Sequence, residues 1–270
     1  MKKVIERIVK NKNICYFVSP HLDDAAFSAG GLISYLAERT RVVVVAVFTK
    51  AGKDKHSLSA LSYIRQCGYK KDQLEKFYDD RRKEDKELFE SYGVEVKHLG
   101  FLDALWREKK KLSIIEKFLS FFLNDFRYIY PTHKLHISKG RIYKEDLVNL
   151  KKVEKKLKEI VGDEKNSVIF CPIGLGKHVD HIMVREACTN AFSNVIYWED
   201  SPYNLYHEYE DDFIIKNSLS RFLFKKNQSV RKSMFPAYKT QFGKLFNGKT
   251  DFILPPERYY IKNKVVRPER

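Results

Sequence analysis

The chain has 270 residues, 43% of them hydrophobic and including 19 Phe and 16 Tyr, so it can build a sizeable core and is not a disordered polymer. Its formal charge is 51 − 35 = +16, which points to polyanions, acidic lipid surfaces or anionic substrates without selecting one. No apolar run reaches the roughly 20 residues of a bilayer span, the first ten residues have no signal-peptide core, and Cys15, Cys67, Cys171 and Cys188 are widely spaced with no CxxC, so the expectation is a reduced, cytoplasmic chain.

The apolar pattern predicts a short strand at 14–19 and a helix over 25–39, with Phe27, Leu32, Ile33 and Leu36 at helical spacing. The β-branched run at 41–49 reads as a strand covered on both faces. A charged helix over 72–92 stops at Gly93, and 94–100 is a third strand. A helix near 112–123, a strand at 127–130 and a lysine-rich helix over 144–161 follow. Then come a strand at 168–172, a helix at 179–192 and a strand at 195–198. This alternation predicts an α/β, Rossmann-like, three-layer fold with a mostly parallel sheet and helices on both faces. Residues 203–270 are aromatic and less regular, and read as a C-terminal cap on one domain spanning 1–270.

Open α/β sheets bind ligands at the carboxyl ends of their strands, and two clusters fall there. The first is Ser19-Pro20-His21-Leu22-Asp23-Asp24, after the first strand. His21 and Asp24, three apart, offer imidazole nitrogen and carboxylate oxygen, a pairing suited to zinc or a similar divalent ion, and Asp23 is left for acid–base work. The competing reading is that Asp23 or Asp24 caps the helix. Gly30 and Gly31 either allow close approach to the sheet or are merely tolerated. The second cluster is Gly174-Leu175-Gly176-Lys177-His178-Val179-Asp180-His181, in which His178 is a ligand or a capping residue. Gly174-x-Gly176 also forms part of a dinucleotide fingerprint, with Glu199 and Asp200 after the next strand, but Val179 stands at the third glycine position.

These two motifs together resemble the zinc-dependent N-acetylglucosamine deacetylases of the PIG-L (LmbE-like) family. Further similarity lies in the helix carrying Arg81-Arg82-Lys83-Glu84-Asp85, in Leu99-Gly100-Phe101-Leu102-Asp103, in Tyr197-Trp198-Glu199-Asp200-Ser201-Pro202-Tyr203 and in Tyr238-Lys239-Thr240-Gln241. Leu22, Ala25 and Val179 replace the commoner Pro, Glu and Pro, and Lys177 stands where Gly is frequent. The variants look most like the branch that deacetylates aminosugars on antibiotics. The resemblance implies one zinc per chain held by His21, Asp24 and His181. It implies Asp23 as general base, His178 as oxyanion stabiliser or proton donor to the amine, and Asp180 as the partner that orients a histidine. By family position, Arg82, Asp103 and Tyr203 contact the substrate, an N-acetylglucosaminyl glycoside or related conjugate cleaved to a free amine and acetate. The oligomeric state is left open.

Other readings stand beside these. Arg82 with Glu84 or Asp85 equally suits a solvated helix face, and Tyr238 suits packing. His133 and His136 read as loop residues near the sheet edge. The lysines at 109–111, 151–158, 225–226 and in the tail from Lys262 are dispersed and read as solvated surface, with no nucleic-acid partner expected. The rival functions are a metal-dependent amide hydrolase with a non-sugar substrate, and a nucleic-acid or anionic-surface binding protein on a hydrolase-like fold.

Overall fold

The valine run after Arg41 becomes a strand because every side chain on it has a buried place to go. In the computed structural model, which describes residues 2–53, 55–205, 212–246 and 253–262, β2 (Val42–Lys50) is buried from Val42 to Thr49. Val42 and Val44 enter one core, while Val43, Val45 and Val47 enter the other. Its neighbour β1 (Ile14–Ser19) divides in the same period of two, with Cys15 and Phe17 on the first face and Tyr16 and Val18 on the second. Helices α1 (Lys2–Lys10), α2 (Asp24–Ala37) and α9 (Gln228–Met234) bury Ile5, Leu32 and Met234 against the first face. Helices α6 (Leu147–Val161) and α7 (Val179–Ala191) bury Leu157 and Met183 against the second. The three-layer α/β fold expected from the alternation is therefore present.

The sheet also contains β3 (Glu95–Leu102), β4 (Ser167–Pro172), β5 (Val195–Trp198), β6 (Leu219–Phe224) and β7 (Glu257–Lys262), in the order β3-β2-β1-β4-β5-β7-β6. The first five are parallel, and β7 runs antiparallel to both β5 and β6. The chain winds outward from β1 through β2 to β3, then resumes on the other side at β4. At that reversal Phe17 pairs in register with Phe170, their rings stacked 4.4 Å apart. The winding leaves a crevice beyond the carboxyl ends of β1 and β4, where both His/Asp clusters begin.

Four expectations need correction. Residues 127–130 form no strand, only a bridge between Glu108 and Tyr128, because Tyr128 and Tyr130 turn inward to bond the Lys55 carbonyl and Asp146. The helix expected over 112–123 shortens to α5 (Ile114–Leu119), opened by a capping box of Ser113 and Glu116. The C-terminal region does more than cap: β6 and β7 extend the sheet, and α8 (Asp212–Lys216), α9 and α10 (Lys239–Phe246) accompany them. The basic tail at 263–270 lies outside the described residues. At Gly30 and Gly31 the close approach is to α9 and a carboxylate, since added Cβ atoms would lie 2.6 Å from Met234 Sδ and 2.8 Å from Glu257 Oε1. The helices α1, α3 (Leu58–Gln66) and α4 (Leu74–Ser91) complete the set, of which α1 and α3 had no sequence expectation. Among the described residues no helix is long and apolar enough to cross a membrane.

Candidate active site

Pro20 ends β1, and Ser19 ties the turn that follows. Its hydroxyl donates to the His21 carbonyl at 2.7 Å and accepts from the Ala25 amide at 3.0 Å. The turn brings Asp24 Oδ2 to 2.9 Å from the His21 amide and 3.0 Å from His21 Nδ1. Asp23 occupies the N-cap position of α2 yet makes no side-chain capping bond, so the capping reading fails there and its carboxylate stays available.

The second cluster arrives from β4. Gly174 and Gly176 take φ of +88° and +81°, the left-handed region that glycine adopts without penalty. That turn points the Gly174 and Leu175 amides at Asp200 Oδ2, 2.8 Å from each. An internal carboxylate thus fills the place a nucleotide phosphate would need, which removes the dinucleotide reading. Asp200 Oδ1 in turn lies 2.6 Å from His181 Nδ1. Lys177 adopts φ +56° and is solvent-exposed, outside the cavity lining.

The clusters meet. His181 Nε2 lies 3.4 Å from Asp24 Oδ2, so His21, Asp24 and His181 present donor atoms within 4.8 Å of one another. The far nitrogen of each imidazole is held by a carboxylate, His21 Nε2 by Asp180 at 3.0 Å and His181 Nδ1 by Asp200. That is the arrangement by which proteins fix tautomer and ring direction in metal-ligating histidines. A second grouping, His21, His178 and Asp180, is equally compact. There, however, Asp180 is fully buried, paired with Arg107 and bonded to the Ala104 amide at 3.1 Å, so its oxygens are already engaged. Arg107 is itself tied to Asp146 at 2.6 Å. The donor set that fits a divalent ion is therefore His21, Asp24 and His181, two neutral nitrogens and one anionic oxygen.

The electrostatics separate the two adjacent carboxyl groups. Burial and the neighbouring Asp24 raise Asp23 to about 6, opposed by the Arg81 guanidinium 3.7 Å away. Burial works against ionisation of Asp24 too, but His181 and His21 hold it well below the usual carboxylate range. Burial lowers His178 well below an ordinary histidine and keeps its ring neutral. Its Nδ1 accepts the Asp180 amide at 3.2 Å as the N-cap of α7, which leaves Nε2 to carry the proton. The capping reading of His178 is thus correct as far as Nδ1 goes, while the ring still lines the cavity.

That cavity is about 490 Å³, within the range of small-molecule sites. His21, Asp23, Asp24, His178 and His181 line it, as do Asp103 and Tyr203. Asp103 accepts the Tyr78 hydroxyl at 3.1 Å and caps the turn at Leu105. Tyr203 lies over Gly176, where a Cβ would come 2.3 Å from its ring. Arg82 is not in the lining. It bonds the Thr49 carbonyl at 2.7 Å and pairs with Asp79 on the surface, so Arg82, expected at the substrate, lies outside the cavity, and Arg81 lines it instead. The buried face of α4 is Leu74, Phe77, Tyr78, Arg81, Asp85 and Phe89, and helical period alone places Arg81, not Arg82, on it.

Sequence reasoning also passed over Asp200 as a histidine partner, and Tyr63, Gln241 and Lys244 as lining residues. Tyr63 donates to Gln241 Oε1 at 2.9 Å, and Lys244 Nζ sits 3.8 Å from the centroid of the Tyr63 ring. His133 lines the cavity, its ring 6.0 Å from that of His178, whereas His136 bonds Thr132. Tyr238 packs against Phe27 and bonds Asp85 at 2.8 Å, in keeping with the packing reading.

Comparison with known proteins bears on this geometry. The family model described as GlcNAc-PI de-N-acetylase (PIG-L) matches residues 16–192. The 2'-N-acetylparomamine deacetylase of Streptomyces fradiae is 24% identical over 203 residues, covering 73% of this chain and 60% of that protein. The chain thus aligns with less than two thirds of that relative's length. Among solved structures, the zinc-inhibited form of teicoplanin deacetylase Orf2 is 22% identical, with a TM-score of 0.69 over 92% of this chain and 97% of that one. The A40926 pseudoaglycone deacetylase Dbv21 is 20% identical, with a TM-score of 0.63 over 93% and 97%. These two structures share the fold described above.

Proposed function

The chain belongs to the PIG-L (GlcNAc-PI de-N-acetylase) family, and on that premise we propose that it is a zinc-dependent N-deacetylase. Its substrate is an N-acetylglucosaminyl glycoside or related aminosugar conjugate, which it hydrolyses to the free amine and acetate. The observation that carries this reading is the convergence of His21, Asp24 and His181 in one cavity beside Asp23, whose side chain makes no capping bond. The names of the relatives, deacetylases of paromamine, teicoplanin and A40926 pseudoaglycone, support an aminosugar on a larger conjugate.

In this reading His21, Asp24 and His181 hold one zinc per chain, with Asp180 and Asp200 keeping the histidines in the ligating tautomer. Zinc bound there supplies Lewis acidity toward the acetamide carbonyl and the attacking water. Asp23 accepts the proton of that water; raised to about 6, it is ionised at neutral pH yet more basic than an exposed carboxylate. As the C–N bond breaks, Asp23 returns the proton to the departing nitrogen. His178, neutral and fixed by its cap, donates its Nε2 proton in a hydrogen bond to the oxygen that develops negative charge. Arg81 keeps Asp23 oriented, and Asp103 and Tyr203 contact the sugar. In this reading the described residues act as one domain. Cys15, Cys67, Cys171 and Cys188 are unpaired, in keeping with a reducing cytoplasm.

The test is acetate release from a panel of N-acetylglucosaminyl glycosides, acetylated polyamines and acetylated peptides by zinc-loaded protein. Turnover of the glycosides alone supports the proposal. Turnover of peptides or polyamines alone replaces the sugar with another amide substrate.

A further inference from the structure

Outside the cavity, the surface around α5 is built unlike the rest of the exterior. Ile114, Ile115, Phe118, Phe121 and Phe122 are between 61% and 86% exposed. Soluble monomers rarely leave a contiguous apolar patch of this kind uncovered without a use for it. The patch is ordered rather than frayed. Ser113 and Glu116 cap α5 reciprocally, Lys109 pairs with Glu116 at 2.8 Å, and the Phe118 and Phe122 rings meet at 5.5 Å. Lys110, Lys111 and Lys117 stand exposed beside it, and none has an ion-pair partner among the described residues.

The segment after the patch is tied to the cavity wall. Asp125, three residues beyond Phe122, accepts the Leu58 amide at 3.1 Å. Leu58, itself 60% exposed, begins α3, whose Ser59 and Ser62 line the cavity. Lys134 also lines the cavity, next to the exposed Leu135 in sequence.

We propose that this surface docks the protein on an anionic lipid bilayer, with Phe118, Phe121 and Phe122 at the acyl boundary and Lys110, Lys111 and Lys117 among the headgroups. Aromatic and aliphatic side chains beside unpaired lysines are the composition of interfacial segments. Charge selects this occupant. A second copy of a chain of net charge +16 would bring lysine against lysine, whereas an anionic leaflet attracts the same groups. Nucleic acid would leave Ile114 and Ile115 without an apolar partner. The inference goes beyond the hydrolytic reading and does not rest on it.

The experiment is flotation of the full chain with vesicles of equal parts phosphatidylglycerol and phosphatidylcholine, against phosphatidylcholine alone. Flotation with the anionic vesicles, weakened by salt, is expected. Lys110→Glu with Lys111→Glu, which reverses two charges, should weaken it by at least about five-fold per lysine. Phe121→Ser with Phe122→Ser should weaken it by at least about ten-fold, because both rings leave the acyl boundary. All four side chains are exposed, so the folds should survive, as circular dichroism will report. Any hydrolysis of a soluble N-acetylglucosaminide should be unchanged in both variants. No flotation with anionic vesicles overturns the proposal, as does flotation indifferent to both double variants. Self-association in solution that Phe121→Ser with Phe122→Ser dissolves, without flotation, assigns the surface to a second copy instead.

Discussion

Replacing Asp200 with Asn tests the outer support of the proposed metal site without altering any of its proposed ligands. Asp200 Oδ1 meets His181 Nδ1 at 2.6 Å, while Oδ2 accepts two backbone amides, those of Gly174 and Leu175, at 2.8 Å each. The introduced carboxamide has one oxygen, and the two backbone donors fix it on their side. Its NH2 then faces His181 Nδ1, which must give up its proton to accept. The proton moves to Nε2, the nitrogen 3.4 Å from Asp24, and removes the lone pair a metal needs. Loss of one charge-assisted hydrogen bond is worth about 1.5–3 kcal/mol. Outer partners of ligating histidines typically govern about 10- to 100-fold in metal affinity. Asp200→Asn should therefore raise the zinc dissociation constant by about 10- to 100-fold in competition with a chromophoric chelator. The metal-free fold should be retained in circular dichroism because the Gly174 and Leu175 bonds persist. Zinc affinity equal to that of the parent would refute the linkage from Asp200 through His181.

Asp23→Asn should retain zinc and lower acetate release by about 100- to 10,000-fold, the span of general-base contributions; unaltered turnover would remove Asp23 as the base. Arg81→Met, which strands a buried carboxylate, should lower stability in urea by about 3 kcal/mol and reduce turnover, whereas Arg82→Ala, on a surface pair, should cost under about 1 kcal/mol. Equal effects at the two positions would return the functional arginine to doubt. Gly31→Ala drives a methyl group toward Glu257 Oε1 and the Lys226 carbonyl and should cost about 1–3 kcal/mol in the same unfolding assay.

Much of this was legible in the residues. The strands at 14–19 and 195–198 match expectation residue for residue, because short apolar runs between turn residues have few other uses. His21, Asp24 and His181 converge as expected because β1 and β4 are adjacent and parallel. What escaped depended on long-range partners. Glu257 binds the Gly31 and Leu32 amides from more than 200 residues away, and nothing in the local pattern announces that β6 and β7 join the sheet. Asp200 looked like part of a nucleotide fingerprint because its true partners, a glycine turn and a histidine, lie on another element. The Arg81/Arg82 choice was different, since the period of α4 already contained the answer.

The central claim is that His21, Asp24 and His181 hold the zinc with which this chain removes an acetyl group from an aminosugar. The most direct measurement is acetate and free amine released from an N-acetylglucosaminyl glycoside by the protein as purified, after chelation, and after zinc is restored. The account predicts equal yields of acetate and amine, loss on chelation, recovery with zinc, and no recovery in His181→Ala. Hydrolysis that survives complete chelation, or zinc-restored protein that releases no acetate from any N-acetylated aminosugar, would contradict it.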